Sequence, residues 1–163
     1  MSVKITKVPD MVVDLSFSRK ELAEIGLEVR SLMAERTQNG YDIKDRKFKP
    51  YSKLNEKSGT PNLTDTGRML GNLHSGLTST GVMVNLKDVD QNDKGVWHQD
   101  GVKPHMIRPK RKKALKFSTS NGVMFSKGHE VSLPQREWFG LSRKDEQKLF
   151  KKVVEPIMIR KVK

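Results

Sequence analysis

The stretch Ser18-Arg-Lys-Glu21 constrains this chain more than any other. A serine three residues ahead of a glutamate marks a helix start: its hydroxyl accepts from the Glu21 backbone N–H while the carboxylate reaches back. Leu22, Ile25, Val29, Leu32 and Met33 follow at helical spacing on one face. The pattern predicts one long helix over about 19–36, ending before Gln38-Asn39-Gly40. The rest of the chain has to supply the surface that covers its apolar stripe.

Residues 37–62 are polar, contain Pro50 and Pro61, and read as a long loop anchored by Tyr41, Phe48 and Tyr51. A second helix is expected from Thr64 or Thr66, with Met69, Leu70, Leu73 and Leu77 as its stripe, ending near 79–81. Gly67 and Gly71 fall inside that pattern, where they would permit close helix packing. Val82, Val84 and Leu86 alternate as in a strand, and Val96-Trp97-His98 reads as an ordinary strand or loop position. Leu115 and Phe117 alternate with Ala114 and Lys116; a turn over 118–122 then returns Val123-Met124-Phe125 as a hairpin partner. Ser142-Arg-Lys-Asp145 starts a last helix with Leu149, Phe150 and Val153 on its apolar face, ended or kinked by Pro156. This order predicts an α+β fold: an antiparallel sheet packed with a long N-terminal helix, a second helix and a C-terminal helix. The 163 residues suit a single domain over 18–155, with an arm or short strand at 1–17 and a basic tail at 156–163.

Several chemistries have no apparatus here. The absence of cysteine removes a thiol nucleophile, a thiolate metal site and a disulfide framework together. No long apolar run spans a membrane and the first residues lack the apolar core of a secretion signal, so a soluble protein is expected. His74, His98, His105 and His129 form no His-Glu-x-x-His pattern. The nearest approach to a metal set is His98, Asp100 and His105, with nothing to make them converge. Neither a nucleophile elbow nor a glycine-rich phosphate loop is present. No catalytic, cofactor-binding or metal residue is assigned, and an enzyme is not expected.

Charge is the remaining signal. The net charge is +13, and from Gly101 to His129 there is no Asp or Glu, whereas Arg108, Lys110, Arg111, Lys112 and Lys113 crowd six positions. Upstream lie Asp88, Asp90, Asp93 and Asp100, and the first helix adds Glu21, Glu24, Glu28 and Glu35. Separated positive and negative surfaces suit head-to-tail contact between copies as well as DNA. A solvated strand edge, where lysine discourages accidental pairing, is the plain alternative. With no base-reading motif nearby, any DNA contact would be to the backbone only.

Several segments together resemble a known family, the virion morphogenesis (tail completion) proteins of the tailed-bacteriophage neck. They are Arg36-Thr37, Gly40-x-Asp42, Phe48-Lys49-Pro50-Tyr51-Ser52 and Leu63-Thr64-Asp65-Thr66-Gly67-Arg68-Met69-Leu70. His98-Gln99-x-Gly101 and Pro134-x-Arg136-x-Trp138-Phe139-Gly140-Leu141-Ser142 with Asp145 complete the set, over roughly residues 18–150. The resemblance implies a non-enzymatic virion protein without cofactors that caps the tail or joins it to the head. It implies a cyclic homo-oligomer, most often a hexamer, around the DNA channel. Other neck, tail-tube or tail-terminator proteins would be its neighbours, with non-specific contact to genomic DNA and none to membrane. Its place would be the head–tail junction of the virion, reached from the host cytoplasm during assembly. A tail terminator that stops tube growth, or a sequence-independent nucleic-acid-binding protein, are the alternatives. On this reading Thr64, Asp65, Thr66, Gly67, Arg68, His98, Gly101, Pro134, Arg136, Trp138, Phe139 and Gly140 serve assembly, and 108–113 meets DNA or an acidic partner.

Overall fold

The computed structural model describes residues 16–50, 61–64, 66–79, 81–119 and 121–162. The expected arm at 1–17, apart from Ser16 and Phe17, lies outside these, as do Tyr51, Ser52 and Asp65. The first helix, α1 (Arg19–Gln38), begins as expected: Glu21 N donates to Ser18 Oγ and Ser18 N donates to Glu21 Oε2. Its inward face buries Leu32 and Met33, while Gly26 lets a strand pair press close, since a Cβ there would stand 2.6 Å from Val82 Cγ1.

The fold is α+β, with helices packed against antiparallel strands. The second helix is far shorter than expected. After α2 (Arg68–Gly71) the chain enters β1 (Leu73–Leu77), which pairs antiparallel with β2 (Val82–Leu86). The spacing Met69, Leu73, Leu77 misleads because four residues is close to one helical turn and also two strand repeats. Gly67 is not inside a helix; it holds φ 71° at the N-cap, the left-handed region that glycine adopts at little cost. Leu73 is buried, closing a core of Met33, Phe48, Leu63, Met69, Leu70 and Trp138.

Val96-Trp97-His98, expected in a strand or loop, belongs to a helix, α3 (Val89–Asp100). Asp88 caps it by accepting from the backbone amides of Asp90 and Gln91. Gln91 and Gly95 face inward, whereas Val89, Val96 and Trp97 are exposed. The helix therefore turns polar and small residues to the protein and apolar ones to solvent, which hides it from a search for a buried apolar stripe.

The remaining strands form two further ribbons instead of joining one sheet. β3 (Val102–Ile107) pairs with β6 (His129–Leu133), and between them β4 (Leu115–Thr119) and β5 (Gly122–Ser126) form the expected hairpin. Among the described residues neither ribbon packs extensively on a helix. Together they make an arm that leaves the body after Gly101 and returns at Pro134.

The C-terminal region departs from expectation at Pro156. α4 (Arg143–Leu149), capped by Ser142 and Asp145, runs through a π-helical segment (Phe150–Val154) straight into α5 (Glu155–Val162). A proline has no N–H to give the carbonyl one turn back, and the widened turn ahead of it absorbs that loss without a break. The expected tail at 156–163 is thus largely helix, with Ile157 fully buried.

Candidate assembly interface

The motif residues split into two groups. Those near α3 and in 134–145 form a seam that holds the protein together. Arg136 N donates to His98 O at 2.7 Å, and Gln99 Oε1 accepts from both Trp138 N and Phe139 N. Trp138, 1% exposed, donates its indole N–H to Gly95 O at 2.9 Å. Arg36 reaches from α1 to donate to Gly140 O and to the buried Asp145 carboxylate. Gly101, at φ 75°, is packed so closely that a Cβ would stand 2.9 Å from Leu133 O and Gln135 N. Arg136, Trp138, Asp145 and Gly101 therefore act as architecture. Thr64 is half-buried, and Thr66, Gly67 and Arg68 line an exposed turn where Gly67 N donates to Thr64 O. Phe139 is the exposed end of the seam, edge-on to Trp138.

His98 in the seam and Asp42 in the turn after α1 have shifted protonation. Burial, with the nearby Arg136 charge adding, lowers the His98 pKa and favours the neutral imidazole. At Asp42 burial works in the opposite sense, raising the pKa. The Arg46 and Lys44 amides and the Arg46 guanidinium outweigh it, so the carboxyl titrates below its usual value. Among the described residues no three His, Asp or Glu side chains converge as metal ligands, and His98, Asp100 and His105 are not brought together as such a set.

Part of the negative surface anticipated on the first helix is paired within the molecule, while Glu24 stays exposed and Glu35 is 59% exposed. Lys161 lies 3.1 Å from Glu21, Lys152 2.8 Å from Glu28 and Lys148 3.9 Å from Glu35. The lysines of α4 through α5 thus run antiparallel along α1, each meeting a glutamate one or two turns on. Exposed carboxylates also stand at Glu24, Glu130, Glu146 and Glu155, but α3 gathers three on one helix: its solvent face bears Asp90, Asp93 and Asp100 among Val89, Val96 and Trp97. Lys94 sits at the edge of that face by helical rotation.

The positive counterpart is the arm. Arg108, Lys110, Arg111, Lys112 and Lys113 are all exposed on the irregular link between β3 and β4, apart from the seam. Met106, Val123, Met124 and Phe125 are exposed on the strands β3 and β5 of the same arm. Sequence reasoning placed the cations correctly and missed their apolar company, although Val123-Met124-Phe125 was visible as the return strand. It also missed Val89 and Trp97, because a helix whose apolar side faces solvent looks like a strand fragment.

No family model matches the chain, and neither a curated protein nor a solved structure does. No helix among the described residues is long and apolar enough to cross a membrane.

Proposed function

We propose that this protein is a structural virion subunit of a tailed-phage neck, completing or capping the tail as a ring of identical copies, with no bond-making chemistry. The particle is taken from the resemblance of the Leu63–Leu70 and Pro134–Ser142 strings. The observation that supports assembly is geometric. One chain exposes apolar side chains in two separate places, one set among cations on the arm and the other among aspartates on α3. Unlike patches on one molecule favour heterologous contacts, which close into rings or extend as filaments. Light scattering of the purified protein, alone and with tail tubes, tests this reading. Association in either sample is expected, and monomer in both would overturn it.

The exposure of Arg108 and Lys110–Lys113 favours a second reading, sequence-independent grip on duplex DNA. Five neutralised phosphates would give a salt slope of about −4.5 in log K against log salt. A Lys110/Arg111/Lys112/Lys113→Ala variant with an unchanged slope removes these side chains from any DNA interface.

A further inference from the structure

We propose that the β4–β5 hairpin of one copy seats on the solvent face of α3 in a second copy, with Phe125 as the anchor. This rests on the self-assembling reading above and names the contact through which assembly occurs.

The hairpin leaves two large apolar side chains uncovered on one side. Lys116 lies opposite Phe125 and Ser118 opposite Val123, so these four share one side of the ribbon. Phe125 is 68% exposed and Val123 54%. A two-stranded ribbon standing alone is marginal in water and gains most from a surface against its open side.

The receiving face has the matching form. Val89, Asp93, Val96, Trp97 and Asp100 follow at offsets of four, seven, eight and eleven, the spacing of a helix side made to be covered. Trp97 is 51% exposed and Val89 74%. Beside this face a cleft of about 350 Å³ opens between β2 and α3, walled by Leu86, Gly95, Val96, Trp138 and Phe139. Its walls are mainly apolar, with Asn85, Asn92 and Gln99 at its edges, and its volume suits an aromatic side chain. Aromatic anchors in such pockets dominate the energetics of protein interfaces.

Charge selects the occupant. The span 101–129 contains no carboxylate side chain, and Lys116 flanks the anchor itself. Asp90, Asp93 and Asp100 stand where those cations arrive. Within one chain the hairpin does not pack extensively on α3, so the two faces are left for different molecules. Each docking leaves one hairpin and one α3 face open, which propagates the contact around a ring.

The absence of native cysteine permits a direct test. Val123→Cys chains, which keep the Phe125 anchor on the same side of the ribbon, and Val96→Cys chains, mixed and mildly oxidised, should form a disulfide-linked heterodimer, while Val123→Cys alone should not. Charge complementation gives the second arm. Lys112→Glu/Lys113→Glu/Lys116→Glu and Asp93→Lys/Asp100→Lys chains should each self-associate at least about tenfold more weakly than wild type. In their equimolar mixture the intact hairpin meets the intact α3 face and the two reversed faces are again opposite in charge, so self-assembly should return toward the wild-type level. That result also shows both variants to be folded.

If wild type assembles and both charge variants assemble equally well, the docking is wrong and the ring reading survives. Wild type that stays monomeric with and without tail tubes removes both. A hairpin variant that loses duplex DNA binding but keeps wild-type self-association makes DNA the occupant and overturns the proposal.

Discussion

Arg36 and Asp145, 109 residues apart in sequence, form a buried ion pair that ties the last turn of α1 to the first turn of α4. The same guanidinium donates to the carbonyls of Trp138 and Gly140, and the same carboxylate accepts from Ser142 N. Removing one partner leaves a buried charge uncompensated. Asp145→Asn or Arg36→Met should each cost about 3–5 kcal/mol, read from urea denaturation midpoints. Replacing both with apolar residues should cost less than the two single losses added together.

Gly95 is fixed by crowding. A Cβ would stand 2.8 Å from Leu86 Cδ1 and 3.0 Å from the Trp138 ring. Gly95→Ala should therefore destabilise by about 1–3 kcal/mol, despite alanine being the better helix former. Gly71→Ala is the contrast, because nothing lies within 4 Å of that Cβ. It should be neutral or stabilising by up to about 1 kcal/mol. Thermal unfolding of the two variants side by side checks the pair.

Gln99 holds the Trp138 segment to α3 through one oxygen that accepts two backbone amides. Gln99→Leu keeps the bulk and strands those donors, at a cost of about 1–3 kcal/mol. Gln99→Glu keeps an acceptor and should cost less in the same denaturation assay.

Acidification should weaken the fold in two stages. His98 has a folded pKa below its ordinary 6.5, so the unfolded chain takes up this proton first. Its contribution is complete above pH 6.5 and declines as pH falls from there toward the folded value. Asp42 has a folded pKa below its ordinary 3.8, so its contribution is present above that value and lost as pH falls through the folded pKa. Denaturation midpoints at pH 8, 6.5 and 5 should fall in that order, and His98→Gln should flatten the upper part of the profile. A midpoint that does not move between pH 8 and 5 would contradict the sign assigned to His98.

Where local chemistry determines local shape, the sequence was readable. Two capping boxes, Ser18 with Glu21 and Ser142 with Asp145, start helices where their spacing requires. The 115–126 hairpin declared itself through alternation and its turn. Long-range packing was not readable. Nothing in Gln91, Gly95 and Gln99 announces an inward helix face, since what covers it is Trp138, more than 38 residues downstream. Likewise Glu21, Glu28 and Glu35 looked like a partner-facing surface until the run from α4 through α5 brought lysines back alongside. The basic cluster was plain from its composition, but whether it stood on the body or on an arm depended on β3 finding β6 across the intervening hairpin.

The arm is joined to the body through a narrow base. Val102 pairs with Leu133, and Gly101 presses against the backbone of Leu133 and Gln135. Everything between is inserted at one point in the chain, so it behaves as an exchangeable cassette. A short turn splicing Gly101 to Pro134 would leave the buried architecture untouched, and a foreign ribbon could be grafted in its place. Natural selection could retune what the protein grips by editing this one insert, while the helices and the tryptophan seam stayed as they are.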